Sequence, residues 1–170
     1  MYIQCTKKLL EAGKFELGEY QGSELSPFYE WHANLFVLHR RKGVLLMNNA
    51  TRYGIVLYGL KATEFKRFDQ IVLDSMWETF LAEGFSEEQV RKYIENCGEV
   101  RYSKTNSRSV LGYLSQFDWY MSAFIDDYLP SDSINLVGLN LACGGNYTIF
   151  KQAGKIVHPL DLLKEEMEKL

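Results

Sequence analysis

The sequence is poor in the features that would tie it to a covalent framework, a metal or a membrane. Its three cysteines, Cys5, Cys97 and Cys143, are odd in number and far apart. They match neither a disulfide framework nor a zinc-ligand spacing, and read as reduced, buried thiols. Three histidines, His32, His39 and His158, complete the supply of soft ligands, and without clustering they call for no metal. Three prolines and no low-complexity tract leave no interdomain linker, and no internal repeat is visible. No apolar run approaches the ~18 residues of a membrane span, and MYIQCTKKLLEAGKFE lacks the apolar stretch of a signal peptide. The expectation is a cytoplasmic protein with no membrane partner. Also missing are a Gly-x-Ser-x-Gly elbow, a phosphate loop ending in Gly-Lys-Ser/Thr and a dinucleotide fingerprint. No catalytic residue and no cofactor follow from motifs, and Cys143-Gly144-Gly145 reads as a helix stopped by glycine.

What is there suits a globular core. The chain has 170 residues, 46% of them hydrophobic and 14% aromatic, enough for a single domain over residues 1–170. Residues 1–5 suggest a strand, and Thr6 a cap for a short helix ending at Gly13. A loop with Gly13, Gly18, Gly22, Ser23, Ser26 and Pro27 follows. Segments 33–39, 43–48 and 53–58 are apolar and β-branched or aromatic, separated by Arg40-Arg41-Lys42-Gly43 and Asn48–Arg52. Connections this short make the three strands an antiparallel meander. Leu35 and Val37 on one side, with Phe36 and Leu38 on the other, predict a sheet covered on both faces. Helices are expected over 69–82, from the capping box Ser86-Glu87-Glu88-Gln89 to Cys97, over 107–128, over 133–143 and from Pro159 onward. A further strand is expected at 99–103. The class is α+β: a β-meander over about 33–58 with added short strands, covered by several helices.

Charge is segregated along the chain. The formal net charge is -3, yet residues 31–63 carry Arg40, Arg41, Lys42, Arg52 and Lys61 with no acid. Residues 100–117 add Arg101, Lys104 and Arg108, again without an acid, whereas residues 64–99 and 118–150 are strongly acidic. One explanation pairs basic hairpins with acidic helices across the fold. The other is a surface for an anionic partner. The Arg40-Arg41-Lys42 tip favours the second, because three adjacent cations repel one another and no sequence neighbour relieves them.

Ser103-Lys-Thr-Asn-Ser-Arg-Ser109 is the more specific signal. Asn106 or Ser107 would cap the long helix, and its first turn should then hold acids, which suit the helix dipole. Instead Lys104 and Arg108 flank it, with the Thr105 and Ser109 hydroxyls nearby, as a phosphate or carboxylate site would. A frayed cap with solvated cations is the competing explanation. Arg40, Arg41, Lys42, Lys104, Thr105, Asn106, Arg108 and Ser109 are therefore the candidate anion-binding residues. Trp31, His32 and Asn34 form a candidate pocket in which His32 is the general base available. In the aromatic helix, Tyr113 and Trp119 fall off the main apolar stripe and suggest exposure or an interface.

Three stretches are distinctive in combination: MYIQCTKKLL, WHANLF with RRK and NNAT, and KTNSRSVLG. Together they resemble an uncharacterised family of small bacterial proteins, a domain of unknown function, over roughly the first two thirds of the chain. The resemblance implies a bacterial, intracellular protein and brings no activity or ligand. Three readings follow: a non-catalytic binding module with a local basic surface for an anionic ligand or nucleic acid; an enzyme acting on a small phosphorylated or carboxylated substrate; and a protein-interaction module, self-associating or with another partner, through the aromatic helix.

Overall fold

Residues 30–60 fold into three antiparallel strands, β2 (Glu30–Leu38), β3 (Arg41–Asn48) and β4 (Gly54–Leu60), in a computed structural model that describes residues 1–20, 25–145, 150–152 and 155–170. Gly22 and Ser23 of the expected loop lie outside the described residues. The β2–β3 turn is His39-Arg40, with φ of 46° and 63°, the two positive values of a tight two-residue hairpin. Arg41 and Lys42 therefore belong to β3, not to the connection expected from sequence.

The sheet is not a pure meander. Its order is β4-β3-β2-β1-β5, with β1 (Tyr2–Cys5) parallel to both β2 and β5 (Arg101–Lys104). Parallel pairing needs a long return path. Here α1 (Lys7–Gly13) lies between β1 and β2. Between β4 and β5 lie α2 (Phe68–Ala82) and α3 (Glu87–Cys97). The Ser86 capping box at the start of α3 forms as its sequence requires. The long aromatic segment is α4 (Arg108–Ser122), followed by a single tight turn at Ile125–Tyr128. Of the helix expected over 133–143, α5 (Val137–Leu139) is all that is regular, and Asn140–Gly144 widens into a π turn. The reason is packing: a Cβ at Gly144 would stand 2.2 Å from the Gly54 carbonyl oxygen. β6 (Phe150–Gln152) and β7 (Lys155–Val157) pair as a separate antiparallel two-stranded sheet not expected from the sequence, and α6 (Pro159–Met167) ends the fold.

Both faces of the sheet are covered. On one, Trp31, Ala33, Val44, Leu46, Ile55 and Leu57 pack with α2, α3 and residues of α6. On the other, Leu45, Met47, Val56 and Tyr58 meet Val110, Leu114, Phe117 and Met121 of α4. Burial pushes the thiols up, Cys5 and Cys97 to about 12 and Cys143 to about 11. All three are free and buried, so they act as small apolar side chains. Among the described residues no helix is long and apolar enough to cross a membrane.

The outer edge of β4 is blocked. Asn140 Oδ1 accepts from the Val56 amide at 2.7 Å, and the Tyr58 amide donates to the Ile134 carbonyl at 2.8 Å. Asn140 Nδ2 in turn donates to Asn135 Oδ1 at 2.8 Å, and Asn135 Nδ2 donates to Glu78 Oε2 at 2.8 Å. Such side chains stop an edge strand from recruiting another chain. Asn140→Ala should leave the Val56 amide without its partner and remove one of the bonds to Asn135 Oδ1, lowering unfolding free energy by about 1–3 kcal/mol. Urea unfolding measures that loss, and light scattering should show faster aggregation of the variant.

Candidate functional site

The two basic stretches occupy opposite ends of α4. At the far end, His39 Nε2 lies 2.8 Å from Asp126 Oδ1, just beyond the last turn of the helix. At the near end, the Arg52 guanidinium sits 5.7 Å from the centroid of the Tyr113 ring. The 15 residues of α4 span ~22 Å between them. A single anion surface uniting Arg40, Arg41 and Lys42 with Lys104–Arg108 therefore does not form. Lys42 instead places its ammonium 5.7 Å from the centre of the Phe65 ring. His39 takes an acidic partner, as the pairing of basic hairpins with acidic segments anticipates. The cation of residues 31–63 that does reach the second stretch is Arg52, which the sequence reading did not single out.

The β3–β4 connection shows how Arg52 arrives there. Asn48 Oδ1 accepts from the amides of Ala50 and Thr51, each at 3.0 Å, and Asn48 Nδ2 donates to the Phe28 carbonyl at 2.8 Å. This side chain replaces backbone pairing and closes the turn, the usual work of asparagine. Arg52 then adopts φ of 63°, and its guanidinium donates back to the Asn49 carbonyl.

Asn49, the next residue in this turn, reaches the opposite side of the sheet from Trp31. Its Nδ2 donates to Glu30 Oε2 at 3.2 Å and to Gln4 Oε1 at 3.0 Å. A carboxylate only accepts, so Glu30 fixes the orientation of the Asn49 amide. Asn49 Oδ1 must then accept, and the atom beside it is His32 Nδ1 at 2.7 Å. His32 Nδ1 therefore carries the proton, and the neutral ring keeps a lone pair on Nε2. The Tyr20 hydroxyl donates to the same Glu30 carboxylate, 3.0 and 3.1 Å from its two oxygens. Burial, followed by Glu30, raises the Tyr20 pKa, and the side chains of Asn106 and Gln4 act on the same hydroxyl in the opposite sense.

His32 is fully buried. Burial is the main cause holding its pKa below the usual 6.5. The hydrogen bond to Asn49 opposes that shift, and the positive charge of Arg52 adds to it. The ring is neutral near pH 7.

The cleft beside this turn, about 540 Å³, is bordered by Asn49, Thr51 and Arg52 of the turn, Ser109 and Tyr113 of α4, and Glu166 of α6. Ser107 is the cap of α4, its hydroxyl accepting from the Val110 amide at 3.3 Å. Among the described residues the Arg108 and Ser109 amides have no backbone acceptor, as expected at a helix start. Lys104, Asn106, Arg108 and Ser109 are exposed, and Thr105 is half-buried. Glu166 accepts from Lys169 at 2.5 Å.

The expected pocket of Trp31, His32 and Asn34 is not one site. Alternation along β2 sends Trp31 to the other face, where its indole nitrogen donates to the Tyr93 hydroxyl at 2.9 Å. Asn34 stays on the His32 face and accepts from the Thr6 hydroxyl at 2.9 Å. Of the two off-stripe aromatics, Trp119 is 78% exposed, and Tyr113 turns toward Arg52. Gln4, Tyr20, Glu30, Asn49 and Arg52 are the residues that sequence reasoning missed. The available signal was period-two alternation, which puts Gln4 in MYIQC and Glu30 and His32 in EWHAN at polar positions of apolar strands. Among the described residues no group of three or more His, Cys, Asp or Glu side chains could hold a metal ion.

Three stretches distinctive in the sequence thus meet in one place: MYIQC through Gln4, WHANLF and NNAT through His32 and Asn49, and KTNSR through Asn106 and the start of α4. The profile of a family described as a domain of unknown function (DUF6933) matches residues 2–162, and the chain belongs to that family. The match runs well past the two thirds over which the resemblance was legible. No curated protein matches the chain.

A histidine whose folded pKa is depressed stabilises the fold above its unfolded pKa. That contribution is lost as pH falls below about 6.5. Unfolding free energy should therefore drop between pH 6.5 and 5.5 more steeply for the wild type than for His32→Asn. The excess slope is at most about 1.4 kcal/mol per pH unit. Parallel slopes in urea titrations at these pH values would contradict the assignment.

Proposed function

We propose that this chain is a non-catalytic binding module that takes a small anion, a phosphate or carboxylate group, in the cleft between the β3–β4 turn and the start of α4. The observation that carries the reading is the meeting of Arg52 with the first turn of α4 around one cleft of about 540 Å³, a size suited to a small ligand. The helix start supplies amides and a partial positive charge. Its first turn holds no acid, and Arg108 and Lys104 stand where acids would otherwise favour the dipole. In this reading an anion relieves the unfavourable placement of those cations. Arg52 contributes a guanidinium held in place by the Tyr113 ring and the Asn49 carbonyl, so little side-chain entropy is lost on binding.

Amide shifts on titration with inorganic phosphate and with acetate test the reading, and changes should centre on residues 49–52 and 106–110. Arg108→Ala, an exposed position, should weaken phosphate binding about tenfold, the worth of one charged hydrogen bond. Arg40→Gly should leave affinity unchanged while relieving the positive φ at that turn, gaining about 1 kcal/mol in stability. Shifts centred on residues 39–42 instead, or absent altogether, would refute the placement.

A further inference from the structure

On the side of the sheet that Asn49 reaches, three polar atoms form a row with no partner of hydrogen-bond geometry among the described residues: Ser103 Oγ, Gln4 Nε2 and His32 Nε2. Gln4 is in register with Ser103 on one side and with His32 on the other. In-register residues share a face, and neighbouring strands lie ~4.8 Å apart, so the three side chains rise side by side. Their exposures are 4%, 0% and 0%. A buried polar group left unpaired costs about 1–3 kcal/mol, and native folds seldom carry several together.

The hydrogen-bond roles of the row are determined by its neighbours. His32 Nε2 holds a lone pair, because Nδ1 is bound to Asn49 Oδ1. Gln4 Oε1 is taken by Asn49 Nδ2, which leaves Gln4 Nε2 as a donor. Ser103 Oγ can donate or accept. An anion in the row would confront the His32 lone pair and the nearby Glu30 carboxylate. A cation would confront the Gln4 amide hydrogens and the field of Arg52, which already acts on His32. A neutral group that both donates and accepts suits His32 Nε2 and Gln4 Nε2.

We propose that the Ser103–Gln4–His32 row is an internal binding site for a neutral hydroxyl group, which donates to His32 Nε2 and accepts from Gln4 Nε2. Water and a small alcohol supply the same chemistry. The site is independent of the anion reading of the cleft, although Asn49 touches both.

Nitrogen-15 NMR of the His32 ring in the wild-type protein tests it. An Nε2 resonance displaced as by an accepted hydrogen bond supports the site, and the resonance of a bare lone pair rejects it. Native mass spectrometry of the purified protein separates the sources: a bound organic mass identifies an alcohol, and its absence beside a displaced Nε2 resonance identifies water.

Discussion

The alternation of side chains along β2 organises the molecule. Glu30 and His32 are committed to one side of the sheet and Trp31 and Ala33 to the other, because successive residues of a strand point in opposite directions. β2 also lies between a parallel neighbour, β1, and an antiparallel one, β3. A register slip of one residue would drive a carboxylate and an imidazole into the aromatic core and expel Trp31 from it. The large core and the polar layer are thus two results of one constraint.

On the polar side, the sheet pays for buried hydrogen-bonding groups with a connected set of bonds. Glu30 orients Asn49, Asn49 sets the His32 tautomer and holds Gln4, and Tyr20 covers the carboxylate. None of these groups is well placed alone, because each buried donor or acceptor requires its partner. The turn that delivers Asn49 is held by the side chain of the preceding residue, Asn48, whose oxygen bonds the amides of Ala50 and Thr51. Two adjacent asparagines therefore do different work: one shapes the turn, and the other joins it to the sheet face.

Charge follows the same logic of position. The β2–β3 turn projects its cations at one end of the sheet, where Asp126 offers His39 a partner and the Phe65 ring lies close to the Lys42 ammonium. The opposite end brings Arg52 beside the start of α4. Sequence distance predicted neither meeting. Arg40 and Arg52 are only twelve positions apart, yet they lie at the two ends of β3, with the length of α4 between them.

Local chemistry was legible in the chain itself. The strands of the meander, the capping box at Ser86 and the proline start of α6 follow from alternation, from a serine–glutamine spacing and from proline's restricted φ, all properties of neighbouring residues. The parallel insertion of β1 between β2 and β5 was not legible, because pairing between distant segments depends on which faces the helices cover. The shortening of the 133–143 helix likewise came from contact, as Gly144 presses against the backbone at Gly54 and Asn140 turns to pair with β4. The composition of the site divides the same way. The sequence by itself determined which residues carry charge and polar atoms, and that Glu30, His32 and Asn34 share one side of a strand. Only the tertiary structure decided that Gln4, Asn49, Arg52 and the start of α4 would join them, because hydrogen bonds and burial act through space between strands that are not neighbours along the chain.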